Sequence, residues 1–444
     1  MRIVIAGAGE VGTHLARMLS KENHDIILLD DDAERLSKID NELDVLTITG
    51  SAHSYVDLRK AISGRTDLFV AVTTGEERNI LACSIAHSLG AGRTVARINN
   101  SEYMQESFRE KITRLGIDEL VYPEELAASY IVSSIKLTAA RHRIEFAHGN
   151  LVLLAIKIRM NAPIVNLTLQ EISYSARGIF AVAIKRNRQT IIPGGKDYIR
   201  DGDIVFFVTS RPDQERVFEL CGKELFDIKT ILFLGGSRIA QKTIEMLGSG
   251  YQVKIIEKDR QRCEYLADRF DNALVISGDG RDIELLKEEG LERVDAFVAT
   301  TGSSETNILS CHLAKSHNVR RTVAQIENFA LMGIAESMNI GTIINKKLIA
   351  ASSIYRFTLK GDITAFNSFP GTDAEVIEFM VKPGTKITRG KLKDLDFPAE
   401  AKIGGIIRGE DAFLANGDSI FTEGDRVVVF TLPAAVKKLE RFFN

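Results

Sequence analysis

Short apolar runs rich in β-branched residues recur along the chain, and the polar residues between them follow two different patterns. The runs near 2–6, 25–30, 45–49, 68–73 and 93–97 are continuous rather than alternating, and amphipathic stretches separate them. A continuous run buries both faces of a strand, so this pattern predicts a parallel sheet with helices on each side. After Pro123 a helical stretch, Glu124 to Ala140, carries small and apolar residues on more than one face. Beyond it lies a second part that is shorter and richer in β-formers. Residues 151–157 open this part, and Gly202-Asp203 introduces a second run at 204–208. Gly-Asp before a β-branched run is a turn signal, and the segment predicts a small α+β module ending in a helix.

The whole pattern then repeats at an offset near 228. Ile231-Leu232-Phe233-Leu234-Gly235-Gly236 replays residues 3–8, Glu257 replays Asp30, and Gly278 replays Gly50. Thr300-Thr301-Gly302 replays Thr73-Thr74-Gly75, Asn307 replays Asn79, and Cys311 replays Cys83. In the later part Ile164, Leu169 and Ile172 match Ile387, Leu392 and Leu395, and Gly424-Asp425 matches Gly202-Asp203. Residues 375–381 open the second small module, and Lys346 to Leu359 is the counterpart of the 124–140 helix. That helix reads either as a packing arm between subunits or as the last helix of its own domain. The expected fold class is α/β: two Rossmann-like, doubly wound parallel-sheet domains, each followed by a small α+β module. The expected segments are 1–140, 141–226, 227–365 and 366–444.

The candidate chemistry sits at the first strand. Gly7, Gly9 and Gly12 form G-x-G-x-x-G directly after an apolar run, and Asp30 follows at the end of the next run. The first glycine makes the tight turn, the second lets backbone approach a pyrophosphate, and the third lets helix and strand pack closely. The acid accepts hydrogen bonds from a ribose diol, and the helix N-terminus favours phosphate. The second copy is weaker: Ser237 replaces Gly9, Ala240 replaces Gly12, and Gln325 stands where Arg97 stood. Glu257 and Asp279 remain in place there to hold a ribose and a base, and Arg238 is a further phosphate candidate.

Composition removes other classes. A net charge of −3 over 444 residues gives no nucleic-acid footprint. No apolar run approaches the length that spans a bilayer, and the N-terminal run breaks at Glu10, so no export signal is read. Four scattered cysteines without C-x-x-C suit a reducing compartment and argue against a zinc or disulfide framework. Cys83 and Cys311 are expected to be buried on helices.

The ordered combination of G-A-G-E-V-G at 7–12, Asp30, T-T-G at 73–75, I-I-P at 191–193 and D-G-D at 201–203, with the modules duplicated, resembles the TrkA family. These are peripheral regulatory subunits of bacterial Trk potassium uptake systems, built from RCK domains with TrkA-N and TrkA-C parts. The resemblance implies binding of NAD(H), with ATP or ADP as further ligands. It also implies a homo-oligomer, a tetramer of two-repeat chains, that forms a ring under an integral membrane potassium-translocating subunit of the TrkH/TrkG kind. The location implied is cytoplasmic, peripheral on the inner face of the membrane.

Carried onto this sequence, Gly7, Ala8, Gly9, Glu10, Val11 and Gly12 form the phosphate turn. Asp30 and Asp31 hold the ribose, Gly50, Ser51 and Ala52 border the adenine, and Thr73, Thr74 and Gly75 lie across the phosphates. Arg97 reaches a phosphate. Ser51 departs from the family, where an acid is frequent. Glu10 beside the phosphates leans the first site towards NAD(H) or ADP over ATP.

Two other classes stand beside this reading. An NAD-dependent oxidoreductase needs a substrate domain with a general acid or base. The histidines are scattered, no H-E-x-x-H or G-x-S-x-G occurs, and the small modules are short and repeated, so no catalysis and no metal are expected. A nucleotide sensor acting on a different partner is the other alternative. Arg141-His142-Arg143, Arg186 with Arg188, and Lys346-Lys347 are basic spots that either face a membrane protein or lipid headgroups or sit in solvated loops.

Overall fold

A computed structural model describes residues 1–20, 24–187, 189–358, 363–368 and 374–443. The chain divides into two compact units, Met1–Leu126 with Lys346–Leu359, and Ala127–Asn345 with Lys360–Asn444.

In the first unit, strands β1 (Arg2–Ala6), β2 (Asp25–Asp30), β3 (Leu46–Thr49), β4 (Leu68–Ala71), β5 (Thr94–Arg97) and β6 (Glu119–Val121) form a parallel sheet ordered β3-β2-β1-β4-β5-β6. That is the doubly wound order whose direction reverses between β1 and β4, and ligands of such sheets bind at this switch point. The sixth strand was not anticipated. It holds only three residues, too few to show a run. Helices α1 (Glu10–Ser20), α2 (Ala33–Asp40), α3 (Tyr55–Ala61), α4 (Glu76–Ser88) and α5 (Glu106–Arg114) connect the strands. Helix α1 buries Val11, Gly12, Leu15, Ala16 and Leu19, the i, i+4, i+8 stripe of a core-facing helix. Cys83 is fully buried on α4 beside β4 and β5, with its thiol on the Val95 carbonyl.

Helix α6 (Pro123–Lys136) starts in the first unit, and its residues from 127 onward belong to the second. The second unit then holds two small antiparallel sheets and another parallel one. Strands β7 (His142–Phe146), β8 (Leu151–Lys157), β9 (Ile179–Arg186), β10 (Gln189–Ile191) and β11 (Ile204–Ser210), with helices α7 (Leu169–Ser175) and α8 (Gln214–Leu220), make the first module, ordered β10-β9-β11-β8-β7. It opens at His142, not at Leu151, because the half-polar run His142–Phe146 pairs antiparallel with β8.

The second parallel sheet comprises β12 (Thr230–Leu234), β13 (Gln252–Glu257), β14 (Ala273–Ser277), β15 (Ala296–Ala299), β16 (Arg321–Gln325) and β17 (Thr342–Ile344), ordered β14-β13-β12-β15-β16-β17. Its helices are α9 (Arg238–Leu247), α10 (Arg260–Arg269), α11 (Ile283–Glu288), α12 (Ser304–Ser316) and α13 (Phe329–Ser337). The duplication read from the sequence is therefore a duplication of topology.

The helix after this sheet, α14 (Lys346–Tyr355), packs against α1 of the first unit. Reciprocally, the end of α6 joins the second sheet's unit: Ser134 hydrogen-bonds Thr342 at 3.0 Å, and Arg321 of β16 donates to the carbonyl of Ser134 at 2.8 Å. Each helix thus serves the sheet of the other repeat. It is not simply the last helix of its own domain. Ile349, Ala350, Ala351, Ile354 and Tyr355 of α14 are all buried, which explains apolar residues on more than one face. Leu359, the end of the expected stretch, lies outside the described residues.

The last module carries β18 (Ile363–Ser368), β19 (Glu375–Met380), β20 (Ala401–Arg408), β21 (Asp411–Leu414) and β22 (Arg426–Thr431), closed by α15 (Val436–Phe443). The position of α7 is taken here by 3-10 turns at 386–389 and 392–394. The two small modules share one core. Leu151, Leu153, Val182, Phe206 and Val208 pack with Val376, Ile407, Val428 and Phe430, and the Phe206 and Phe430 rings lie 5.2 Å apart. Gly404 and Gly405 make this approach possible, since a Cβ would meet Val208 at 2.9 Å and Leu151 at 2.4 Å respectively. The Gly-Asp turns recur: Asp203 fixes Arg186 at 2.7 Å, and Asp425 fixes Arg408 at 2.8 Å. Arg186 is thereby an internal clamp, not a basic spot for a membrane, and Arg188 lies outside the described residues. Among the described residues no helix is long and apolar enough to cross a membrane.

Candidate functional site

The turn after β1 is built as its glycines require. Gly7 has φ +111°, and its N–H donates to the Leu29 carbonyl at 2.8 Å. A Cβ on Gly12 would lie 1.9 Å from the Gly7 oxygen, so only glycine lets α1 start this close to β1. A Cβ on Gly9 would meet nothing within 4 Å. The space over Gly9 is open, and it faces a cavity of about 410 Å³.

Asp30 forms one end of that cavity. Its carboxylate is buried and accepts from the Ala8 N–H at 2.6 Å, the Asp32 N–H at 3.0 Å and Arg35 at 3.2 Å. These bonds tie the ends of β1 and β2 together and fix the acid at the edge of the turn. Asp31, Ser51, Ala52 and His53 continue the wall, and Ser51 is hydrogen-bonded to His53 at 2.9 Å.

Across the turn stand Thr73, Thr74, Arg78 and Arg97. Their positions depend on Asn79, which is fully buried at the start of α4. Its side-chain oxygen accepts from the Thr73 N–H at 2.9 Å and the Thr73 hydroxyl at 2.6 Å. Its amide donates to the carbonyls of Thr73 at 3.2 Å and Arg97 at 2.8 Å. One side chain thus locks the ends of β4 and β5. The Nε of Arg97 is buried without a hydrogen-bond partner, a donor aimed into a site that offers it no acceptor.

Helix α14 closes the remaining side. Lys346 pairs with Glu124 at 3.2 Å, and Lys347 pairs with Glu10. Both lysines line the cavity. The spot Lys346-Lys347 is therefore neither a headgroup contact nor a solvated loop but a wall of the site, and the charge of Glu10 is offset by Lys347. Sequence reasoning placed neither lysine here, since they lie more than 300 residues from the turn they meet. Arg35 and Arg78 were also missed. Arg35 had a signal, one turn into the helix that follows Asp30.

Among the carried-over residues, Gly7, Gly9, Glu10, Val11, Asp30, Asp31, Ser51, Ala52, Thr73, Thr74 and Arg97 line the cavity. The others support it. Ala8 gives its N–H to Asp30, and Gly12 sits beneath Gly7. Gly50 lies against Asp57, where a Cβ would meet that side chain at 2.9 Å, and Gly75 precedes α4 as its N-cap.

Models of known families find this architecture twice. The TrkA-N domain matches residues 3–123 and 231–346, and the TrkA-C domain matches 153–222 and 376–444. The chain belongs to the TrkA family. It is 31% identical to the Trk system potassium uptake protein TrkA of Halomonas elongata, across 100% of this chain and 99% of that one. It is 31% identical to a TrkA homolog of Archaeoglobus fulgidus over the full length of both, and 32% identical to TrkA of Vibrio alginolyticus over 97% and 95%. Among solved structures, the GsuK RCK domain matches at a TM-score of 0.62 and 15% identity, covering 100% of this chain and 94% of that one. The GsuK channel bound to NAD matches at 0.60 and 15%, covering 99% and 78%. These likenesses carry the fold.

The second TrkA-N domain keeps the frame of the turn and changes its surface. Gly235 has φ +88°, and Glu257 takes the role of Asp30, accepting from the Gly236 N–H at 2.9 Å. Asn307 repeats the Asn79 lock, bonding Thr301 and the Gln325 carbonyl. Ser237, in place of Gly9, caps α9 by accepting from the Ala240 N–H, and Arg262 donates to the Gly236 carbonyl at 2.9 Å. Asp279 is held bidentately by Arg281, which keeps its carboxyl far below the usual range. Both acids of the second turn therefore have protein partners. Among the described residues, no cluster of three His, Cys, Asp or Glu is arranged to hold a metal.

Proposed function

We propose that the chain is the nucleotide-binding regulatory subunit of a potassium uptake system. In this reading the turn at 7–12 binds the pyrophosphate of an adenine nucleotide, Asp30 its ribose, Ser51 and Ala52 its base end, and Arg97 a phosphate. The observation that carries it is the cavity itself. At the β1/β4 switch point an open glycine backbone, a buried carboxylate and an unpartnered arginine Nε converge on one space. NAD(H) is the first ligand, in keeping with the structurally similar GsuK channel, which has been solved bound to NAD. ADP and ATP are further ligands, because Lys347 on Glu10 removes the charge objection to a third phosphate.

The remaining parts of the reading follow from the family. The segments 1–140, 141–226, 227–365 and 366–444 act as nucleotide domain, module, nucleotide domain and module. Four chains assemble a ring on the cytoplasmic face of a membrane potassium-translocating subunit of the TrkH/TrkG kind. Nucleotide biases the ring through unequal affinity for its states, and no catalysis is involved. The second turn, where Ser237 and Gln325 replace Gly9 and Arg97, binds more weakly than the first, with Glu257 and Asp279 at its ribose and base positions.

NADH fluorescence titration of the purified chain tests the site, and rubidium uptake in a deletion strain tests the role. Asp30→Ala is expected to bind NADH at least tenfold more weakly, in line with roughly 1.5–3 kcal/mol for a hydrogen bond to a charged group, and to restore uptake poorly. Unchanged binding in Asp30→Ala would overturn the site. Uptake that does not depend on the chain would overturn the role.

A further inference from the structure

A second cavity, of about 510 Å³, lies wholly within the second unit, between the first small module and the second parallel sheet. Its walls carry Arg141, Lys157, Arg159, Lys223, Lys315 and Arg321. A seventh cation, Arg320, lies at its rim with its guanidinium 3.8 Å above the Phe226 ring. These residues come from four separate places in the chain: the link after α6, the end of β8 and the residues just beyond it, the segment after α8, and the stretch from the end of α12 to the start of β16. Folding has gathered them.

Three of these cations are held in place by neutral groups. Arg321 donates to the carbonyls of Ser134, Leu137 and Ala140 at 2.8, 3.1 and 2.9 Å. Lys157 and Lys315 converge on one residue, Lys157 on the Asn339 side-chain oxygen at 3.1 Å and Lys315 on the Asn339 carbonyl. Among the described residues none of the seven forms an ion pair with a carboxylate. The nearby Glu336 is occupied by Lys185 at 2.9 Å. A solvated basic face does not have this form, because like charges in a half-buried cleft repel one another and lose hydration. Burial, and after it the charges of the neighbouring cations, pushes Lys223 and Lys315 down to about 8 and Arg321 down to about 10. The fold thus maintains a charged cavity at a cost that an anion would offset.

We propose that this cavity binds a small polyanion carrying two or more phosphate groups. Three or more cations can face such a ligand at once, and the planar guanidinium of Arg141 suits bidentate capture of a phosphate. The cavity has room for a triphosphate, free or attached to a nucleoside. Because its walls come from a small module and a parallel sheet, its occupant would couple those two parts of the unit. The site is separate from the first turn and does not rest on the nucleotide reading above.

The test is calorimetric titration of the full-length chain with inorganic tripolyphosphate, and in parallel with ATP, at pH 8 in 150 mM salt. Three proteins are compared: wild type, the double variant Lys223→Gln/Lys315→Gln, and Gly9→Asp, which places a carboxylate in the first turn. Tripolyphosphate is expected to bind wild type and Gly9→Asp alike, and the double variant at least tenfold more weakly. Tighter binding of ATP by Gly9→Asp marks a nucleotide as the ligand, and equal binding marks phosphate charge alone. Binding at pH 8 should also take up protons, because Lys223 and Lys315 are then partly neutral and phosphate restores their charge. Arg141, Lys157 and Arg159 face both lysines; of the acids, Glu224 lines the cavity, Glu336 and Asp201 act on Lys157, Asp295 acts on Arg320, and the Cys221 thiol beside Lys223 is neutral, pushed up to about 12. No tripolyphosphate binding, or binding abolished by Gly9→Asp, would overturn the proposal. If Gly9→Asp does not fold, unchanged binding in the lysine double variant overturns it alone.

Discussion

At the residue scale, two glycines of one turn do opposite work, and substitution should separate them. Gly12 is a packing residue, since a methyl there meets the Gly7 oxygen at 1.9 Å. Gly12→Ala should lower stability by about 1–3 kcal/mol, the usual cost of overpacking, read as an earlier denaturation midpoint. Gly9→Ala meets nothing, so its midpoint should match wild type while NADH binding falls. Equal destabilisation by the two would refute this division of labour. Asn79 was legible only as a repeated position. Its role as the lock of β4 and β5 requires knowing that Thr73 and Arg97 end adjacent strands. Asn79→Ala leaves two carbonyls and an amide without their partner, and about 3 kcal/mol of stability should be lost. A loss under 1 kcal/mol would show that water replaces the lock.

At the element scale, the exchange of α6 and α14 is the feature that patterning left open. The sequence showed that both helices are apolar on several faces, which says that they are buried and not by what. Ala350 and Ala351 are fully buried, and α14 packs on α1, so small residues set how closely the two helices approach. Ala351→Leu should push α14 off α1, cost about 1–3 kcal/mol, and weaken nucleotide binding as Lys346 and Lys347 move with the helix. Destabilisation with unchanged NADH affinity would remove these lysines from the site. Strand β7 shows a different limit. Its alternation of apolar and charged residues is an edge-strand pattern, and only pairing with β8 distinguishes it from a loop.

At the scale of the whole molecule, the parts gathered in the second unit set a pH dependence. His142 starts β7 with its ring edge-on to Tyr130 at 6.0 Å. Burial and the charges of Arg141, Arg321 and Lys185 push its pKa down to about 3, against 6.5 ordinarily. Between those values the unfolded chain binds a proton that the native chain does not, so stability should fall as pH drops from about 6.5 towards 3. His142→Phe should flatten this acid limb while leaving stability near pH 8 little changed. An acid limb of unchanged slope, followed by urea denaturation at a series of pH values, would show that other groups dominate it.

The sequence by itself determined the duplication, the strand–glycine turn–helix–acid unit and the alternation of parallel-sheet domains with small α+β modules. These are set by local periodicity and by backbone demands that few residue types meet. Gly7, Gly12 and Asp30 were legible because a turn needs positive φ, a helix needs room, and a buried carboxylate needs the turn's N–H groups within reach. Tertiary structure alone decided which sheet each exchanged helix serves and that Lys346 and Lys347 close a site begun at Gly7. It also decided that Arg141, Lys157, Lys223, Lys315 and Arg321 face one cavity. Contacts between distant segments depend on how whole apolar faces fit together, and neither local pattern nor spacing encodes that fit in readable form.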